Sequence, residues 1–281
     1  MNETRADEVR TVVREHYASV ARRGAAAGCA PGCCATGVPG TSGVQATGTS
    51  AEALGYTTDQ VQGVPEGADL GLGCGNPTAI ASLRPGETVL DLGAGGGFDC
   101  FIAAHQVGPT GRVIGVDMTP DMVARARENA RKVKAANVEF RLGEIEHLPV
   151  ADASIDAILS NCVINLSPEK AAVFGEAFRV LRPGGRLAIS DVVATGPIPA
   201  ELREQAAALA GCIAGAAPLD EVRAMLAAAG FVDIEVEIAP RSAEIVGSWL
   251  PGIEELVASA TIEARKPRAG EAACCAPGCC A

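Results

Sequence analysis

Histidine is scarce in this chain of 281 residues: His16, His105 and His147 are the three it has, and they lie far apart. That is too few, too scattered, for a metal centre built on imidazole. Runs of Lys or Arg are missing as well and the formal net charge is −11, so neither a nucleic-acid surface nor an anionic membrane is an expected partner. The apolar stretches are broken by charge or glycine within about a dozen residues, too short for a membrane span. The N-terminus carries Glu3, Arg5, Asp7, Glu8 and Arg10 and has no signal-peptide core. A cytoplasmic location is the expectation.

Against these absences stand 11 cysteines. Under reducing conditions they do not form a disulfide scaffold, and a chain of this length can bury a core without one. Thiols in this number suggest soft-ion or redox chemistry. Two copies of one hexapeptide, Cys29-Ala-Pro-Gly-Cys33-Cys34 and Cys275-Ala-Pro-Gly-Cys279-Cys280, the second preceded by Cys274, lie near opposite ends of the chain. Both sit in Gly/Ala/Pro-rich surroundings without apolar periodicity, which reads as loop or tail.

Residues 2–23 read as an amphipathic helix, with Val9, Val12, Val13, His16 and Val20 at helical spacing. Residues 51–72 show little periodicity and run into Gly73-Cys74-Gly75-Asn76-Pro77, a tight backbone with one thiol between two glycines. A short helix over 77–83 follows. From Glu87 onward, strands at 89–92, 112–117, 138–142, 155–161 and 186–193 alternate with helical stretches at 98–107, 120–134 and 168–180. Thr119-Pro120 and Ser167-Pro168 read as helix starts. This alternation predicts an α/β fold, a doubly wound and mainly parallel sheet with right-handed crossovers. Beyond Thr195 the pattern becomes a smaller α+β region, with helices at 201–210 and 219–229 and strands at 231–238 and 258–264.

The first strand turns into its helix through Asp91-Leu-Gly93-Ala-Gly95-Gly-Gly97. Glycines there let backbone N–H groups approach a ligand without side chains in the way. The third glycine of a dinucleotide fingerprint is replaced by Phe98. The pattern D-x-G-x-G-x-G resembles the first motif of S-adenosylmethionine-dependent methyltransferases. That resemblance implies cofactor contacts at Asp91, Gly93 and Gly95. Asp117 ends the second strand, where an acid can accept two hydrogen bonds from ribose hydroxyls. By the same resemblance Met118, Ile145 and Glu146 contact the adenine. Asn161 and Cys162 lie at the carboxyl end of the fourth strand, beside the point where ligands collect in open α/β sheets.

Three cysteine-bearing motifs narrow the resemblance. Gly73-Cys74-Gly75-Asn76-Pro77, Ser160-Asn161-Cys162-Val163-Ile164-Asn165-Leu166 and Gly211-Cys212-Ile213-Ala214-Gly215 together resemble the arsenite methyltransferases, over roughly residues 56–240. The family implies that Cys74, Cys162 and Cys212 bind trivalent arsenic as thiolates, with arsenite and methylarsenite as substrates and a thiol reductant, glutathione or thioredoxin, as partner. Arsenic(III) is soft and three-coordinate, so three thiolates leave its lone pair free as a nucleophile and no general base is required. With an ordinary thiol pKa of about 8.5, coordination would have to displace protons, and binding is expected to strengthen as pH rises. Cys100, on an apolar helix, reads as a buried core thiol.

Family members carry a further upstream cysteine; residues 35–73 contain none, so its role is absent or passes to Cys29, Cys33 or Cys34. The vicinal pairs Cys33-Cys34, Cys274-Cys275 and Cys279-Cys280 could capture arsenic, could bind copper(I) or zinc, or could have no catalytic role. The implied organisation is an N-terminal helix and cysteine segment (1–75), a cofactor-binding domain (76–198), an arsenic-binding region (199–266) and a flexible tail (267–281). Two other readings stay open from sequence: a methyltransferase of a small organic molecule, and a thiol-rich metalloid-sequestering protein.

Overall fold

Short runs of Val, Ile, Leu and Ala bounded by Gly, Pro or an acid form the strands of one sheet. The computed structural model describes residues 3–23, 50–200, 212–249 and 252–271. The segment with Cys29, Cys33 and Cys34, the tail with Cys274, Cys275, Cys279 and Cys280, and the helix expected over 201–210 lie outside the described residues.

In chain order the elements are α1 (Glu3–Arg23), α2 (Thr58–Gln62), α3 (Pro77–Ile80), β1 (Thr88–Leu92), α4 (Phe98–Val107), β2 (Arg112–Asp117), α5 (Pro120–Val133), β3 (Val138–Leu142) and β4 (Ile155–Asn161). Then follow α6 (Lys170–Val180), β5 (Leu181–Ala194), the two-residue β6 (Ala217–Pro218), α7 (Leu219–Ala229), β7 (Val232–Ile238), α8 (Ser242–Gly247) and β8 (Val257–Arg265). The strands run in the order β3-β2-β1-β4-β5-β8-β7, with β6 paired to β5. β1 to β5 are mutually parallel and β8 is antiparallel to both its neighbours. The order reverses between β1 and β4, so the crevice for a ligand opens over the carboxyl ends of those two strands.

Alternate strand residues feed two cores. Leu90, Leu92, Ile158, Leu187 and Ile189 pack against α6 and α7 on one face. Val89, Val113, Ala157 and Ala188 pack against α4 and α5 on the other. Each fully buried Leu or Ile contributes about 1.5–3 kcal/mol, which fixes the sheet as the rigid frame for the loops above it. A third cluster lies at the carboxyl end of the sheet and contains Cys74, Cys162 and Cys212 together with Val13, Ile213 and Val246.

Several local expectations shift. α1 forms, but its inward stripe is Ala6, Val13, Ala18 and Ala21 with Val9 and Tyr17, while Val12 and His16 face solvent. Arg10 and Arg14 on that inner side meet carboxylates of distant loops, and these pairs set the helix phase. α2 lies in the stretch that looked aperiodic; Thr57 and Gln60 form a capping box. α3 ends at Ile80, short of residue 83, and Ser82 then takes φ +47°. α6 starts at Lys170, because the Ser167 hydroxyl is engaged by Glu146 and by the N–H of Glu169. Thr119 precedes α5 without a side-chain capping bond. Among the described residues no helix is long and apolar enough to cross a membrane.

Candidate active site

Over the carboxyl ends of β1 and β4 lies a cavity of about 1130 Å³ counting its mouth, with the glycine loop as its floor. Gly93, Gly95, Asp91, Asp117, Met118, Ile145, Glu146, Asn161 and Cys162 all line it, so the structure brings most of the expected site residues to one place. α1 closes one side, with Arg10, Val13 and Tyr17 on the wall.

Asp117 holds the loop in shape. Its carboxylate accepts the Gly95 N–H at 3.0 Å and the Thr119 N–H at 2.8 Å, one on each oxygen. Burial pushes its pKa up and those two N–H groups oppose the rise. Each oxygen keeps a lone pair, as a ribose diol requires. Gly95 has φ +50° and nothing within 4 Å of where a side chain would begin. This open cradle and the acid beside it fit an adenosyl cofactor. Glu146 is buried, and its Oε1 accepts from Ser167 Oγ at 2.6 Å and from Arg10 at 3.4 Å. Asp91 is buried and accepts from the Cys100 thiol at 3.1 Å, so Cys100 is the core thiol its helix suggested.

The three expected arsenic ligands, all buried and free, share the cluster at the carboxyl end of the sheet. Cys162 lines the cavity, Cys74 and Cys212 are not on its lining, and the Cys212 sulfur is outside the close group that the Cys74 and Cys162 sulfurs form with Asp191. Cys74 is clamped from three strands. Asn161 Oδ1 accepts its N–H at 3.0 Å, Ser259 Oγ donates to its carbonyl at 2.7 Å, and its thiol donates to the Ser190 carbonyl at 3.5 Å. The same Ser190 carbonyl accepts the Cys162 N–H at 2.8 Å. The Cys212 thiol donates to the Cys162 carbonyl at 2.7 Å. Cys162 contacts both other thiols. Cys162 and Cys212 sit in the left-handed region, at φ +59° and +63°, which costs on the order of 1–3 kcal/mol per residue and clusters at functional sites.

Asp191 went unnoticed in the sequence. Its carboxylate lies with the Cys74 and Cys162 sulfurs in a group whose ligand atoms are all within 4.8 Å of one another. It is not a spare ligand, because it accepts the N–H groups of Ile164, Asn165 and Val192 and the Asn165 amide. Those bonds fix the turn that carries Cys162. Its one sequence signal is an acid interrupting the apolar run of β5.

Burial raises the Cys74 thiol to about 11. It raises Cys162 well above the usual value too. Cys212 is raised first by its contact with Cys162 and then by burial. The ordinary thiol value behind the expected pH dependence therefore does not apply; in the free protein all three are protonated at neutral pH. Tyr17 is raised by burial and then by the neighbouring Cys212, Cys162, Asp117 and Asp191, and it lines the cavity.

Residues 83–230 match the family described as a methyltransferase domain. An arsenite methyltransferase from Halobacterium salinarum is 53% identical over 93% of this chain and 67% of its own length. One from Aquipseudomonas alcaligenes is 44% identical over 57% of this chain and 48% of its own length. The human arsenite methyltransferase is 39% identical over 51% of this chain and 40% of its own. The chain thus spans two thirds of the first of these relatives and half or less of the other two. Among solved structures, an arsenic(III) S-adenosylmethionine methyltransferase from Chlamydomonas reinhardtii superposes with a TM-score of 0.59 at 34% identity, covering 77% of this chain and 72% of that one. A Haemonchus contortus phosphoethanolamine N-methyltransferase, at TM-score 0.60 and 22% identity over 69% of this chain and 52% of that one, shares the fold. With the glycine loop, Asp117 and the buried thiol cluster already in place, this similarity establishes that the chain belongs to the arsenite methyltransferase family, S-adenosylmethionine-dependent enzymes with the class I methyltransferase fold.

Proposed function

We propose that the chain methylates arsenite held by the Cys74, Cys162 and Cys212 thiolates, and then methylarsenite held by two thiolates. The observation that carries this reading is that three buried thiols from three separate loops share one cluster at the carboxyl end of the sheet, with Cys162 on the lining of the cavity that the glycine loop floors. Asp117, Gly93 and Gly95 hold the adenosyl part of the cofactor, with Met118, Ile145 and Glu146 along the adenine. S-adenosylmethionine, when bound, supplies an electrophilic sulfonium methyl group.

The protonated thiols suit the neutral substrate. As each As–S bond forms, a thiol proton leaves with one arsenic hydroxyl as water. Three thiols and three hydroxyls give three waters, with no proton released to solvent. The product is a pyramidal trithiolate whose lone pair is free to act as the nucleophile. The chain's contribution is orientation: Asn161, Ser190, Ser259 and Asp191 fix the loops that carry the sulfurs. Holding both reactants in register converts a bimolecular step into a local one. Methylation takes arsenic formally from trivalent to pentavalent. Two electrons from a thiol reductant, glutathione or thioredoxin, return it to the trivalent state and leave a disulfide.

Incubation with arsenite, a thiol and methyl-labelled cofactor tests the reading. Labelled methylarsenicals are expected from the wild type and none from Cys74→Ser, Cys162→Ser or Cys212→Ser, each of which still binds S-adenosylhomocysteine. Serine is a hard ligand and a poor partner for arsenic, so the loss is qualitative. Label transfer at the wild-type rate by all three variants would place the arsenic site elsewhere.

A further inference from the structure

We propose that Tyr56, Asp99 and Asn161 form a positioning relay through which the ammonium group of the bound cofactor organises the Cys74 loop, so that cofactor and arsenic bind cooperatively. This rests on the reading of Cys74 as an arsenic ligand.

The relay is built from one buried hydrogen bond and three half-buried ones. The Tyr56 hydroxyl donates to Asp99 Oδ1 at 2.6 Å. Asn161 Nδ2 faces three acceptors: the Gly75 carbonyl at 2.9 Å, the Tyr56 hydroxyl at 3.0 Å and Asp99 Oδ2 at 3.2 Å. An amide nitrogen has two hydrogens, so three acceptors cannot all be served. The same side chain also grips the cysteine loop, through Cys74 N–H on Oδ1 and through the Gly75 carbonyl. The contact is close: a Cβ at Gly73 would lie 2.8 Å from Asn161 Nδ2. Whichever acceptor the amide leaves unserved therefore determines how firmly the loop is held.

Asp99 reaches the cavity from the other side, where Asp69 and Asp91 also line it. Among the described residues these three carboxylates have no ion-pair partner, and Arg10, which also lines the cavity, is engaged by Glu146 and Glu169. A buried carboxylate facing a cavity without a cation favours a cationic ligand. S-adenosylmethionine and S-adenosylhomocysteine both carry an ammonium group; methylthioadenosine lacks it. Once that ammonium takes Asp99, the two amide hydrogens settle on Gly75 and Tyr56, and both ends of Asn161 hold the Cys74 loop.

Trp249 is the single tryptophan and packs against the apolar cluster that contains the thiols, so its fluorescence is the probe chosen for arsenite binding, with isothermal titration as the second readout. The measurement is the arsenite affinity of the wild type, Tyr56→Phe and Asp99→Asn, each alone, with saturating S-adenosylhomocysteine and with saturating methylthioadenosine. Saturation is established by titration of each variant. Tyr56→Phe keeps the ring that packs edge-on to Phe98, and melting curves confirm that both variants fold. S-adenosylhomocysteine is expected to tighten wild-type arsenite binding at least about fivefold, within the usual range of coupling between sites. Methylthioadenosine should change it less than about twofold, and so should S-adenosylhomocysteine in either variant. Equal effects of the two nucleosides on the wild type, or undiminished coupling in both variants, would overturn the relay. Failure of the wild type to bind arsenite under any condition would instead overturn the arsenic-site reading, and the relay with it.

Discussion

Cys74, Cys162 and Cys212 are held as neutral thiols by the same burial that brings them together. A thiol whose folded pKa is raised stays protonated throughout the physiological range, and Cys74 reaches about 11. Were binding driven by thiolate already present, affinity would climb up to tenfold per pH unit for each thiol that ionises. Because each proton leaves with an arsenic hydroxyl as water, the account predicts arsenite affinity changing less than about threefold between pH 6.5 and 8.5, a small fraction of one such step. Titration of Trp249 fluorescence across that range checks it; a steep rise with pH would restore the thiolate-driven picture. The three cysteines were legible in the sequence because each sits in its own short motif. Their supports were not. Ser190, Asp191 and Ser259 act through contacts between segments far apart in the chain, and apart from the acid that interrupts the apolar run of β5 nothing local announces them.

The strands and the helices over the sheet follow from periodicity and from glycine and proline punctuation, which are local signals. α1 shows the limit of such signals. Its helical spacing predicts a helix, but the face it buries is decided by Arg10 meeting Glu144, Glu146 and Glu169, and Arg14 meeting Glu144. Arg22 with Asp121, and Arg125 donating to the carbonyls of Ala21 and Gly67, dock the far end of α1 on α5. α1 is therefore a wall of the cofactor cavity fastened by charge, and Arg10 is nearly buried in its cluster (side chain 11% exposed). Arg10→Gln should leave several carboxylates unpaired and loosen that wall. S-adenosylhomocysteine should dissociate about ten times faster, matching the roughly 1–3 kcal/mol that a charged hydrogen bond carries. Stopped-flow displacement measures this. An unchanged dissociation rate would show that α1 does not retain the cofactor.

At the scale of the whole chain, the last described residue, Glu271, is tied into the fold. Arg265 donates to both its carboxylate oxygens at 2.8 and 2.9 Å, and the Arg268 N–H donates to it at 2.8 Å. A truncation that removes the terminal cysteines should therefore end after Glu271. Such a chain should melt within about 2 °C of the full one, because it keeps every hydrogen bond and ion pair that Glu271 makes. If the vicinal thiols capture arsenic, the truncated chain should methylate arsenite normally at saturating substrate and more slowly at low arsenite, because covalently linked binding groups raise the local concentration of bound metalloid. Steady-state kinetics over a range of arsenite concentrations decide the point. Unchanged rates throughout would make the tail a passenger, and collapse at saturation would make it part of the site.

The central claim is that the arsenic to be methylated is bound by three core sulfurs with no oxygen ligand. Arsenic K-edge X-ray absorption tests it most directly, on protein in which Cys29, Cys33, Cys34, Cys274, Cys275, Cys279 and Cys280 are all replaced by serine, loaded with one equivalent of arsenite. The account predicts a first shell of three sulfurs without oxygen, falling to two sulfurs and one oxygen when Cys74, Cys162 or Cys212 is also replaced. A shell that keeps oxygen in the parent protein, or three sulfurs that survive loss of a core cysteine, would contradict it.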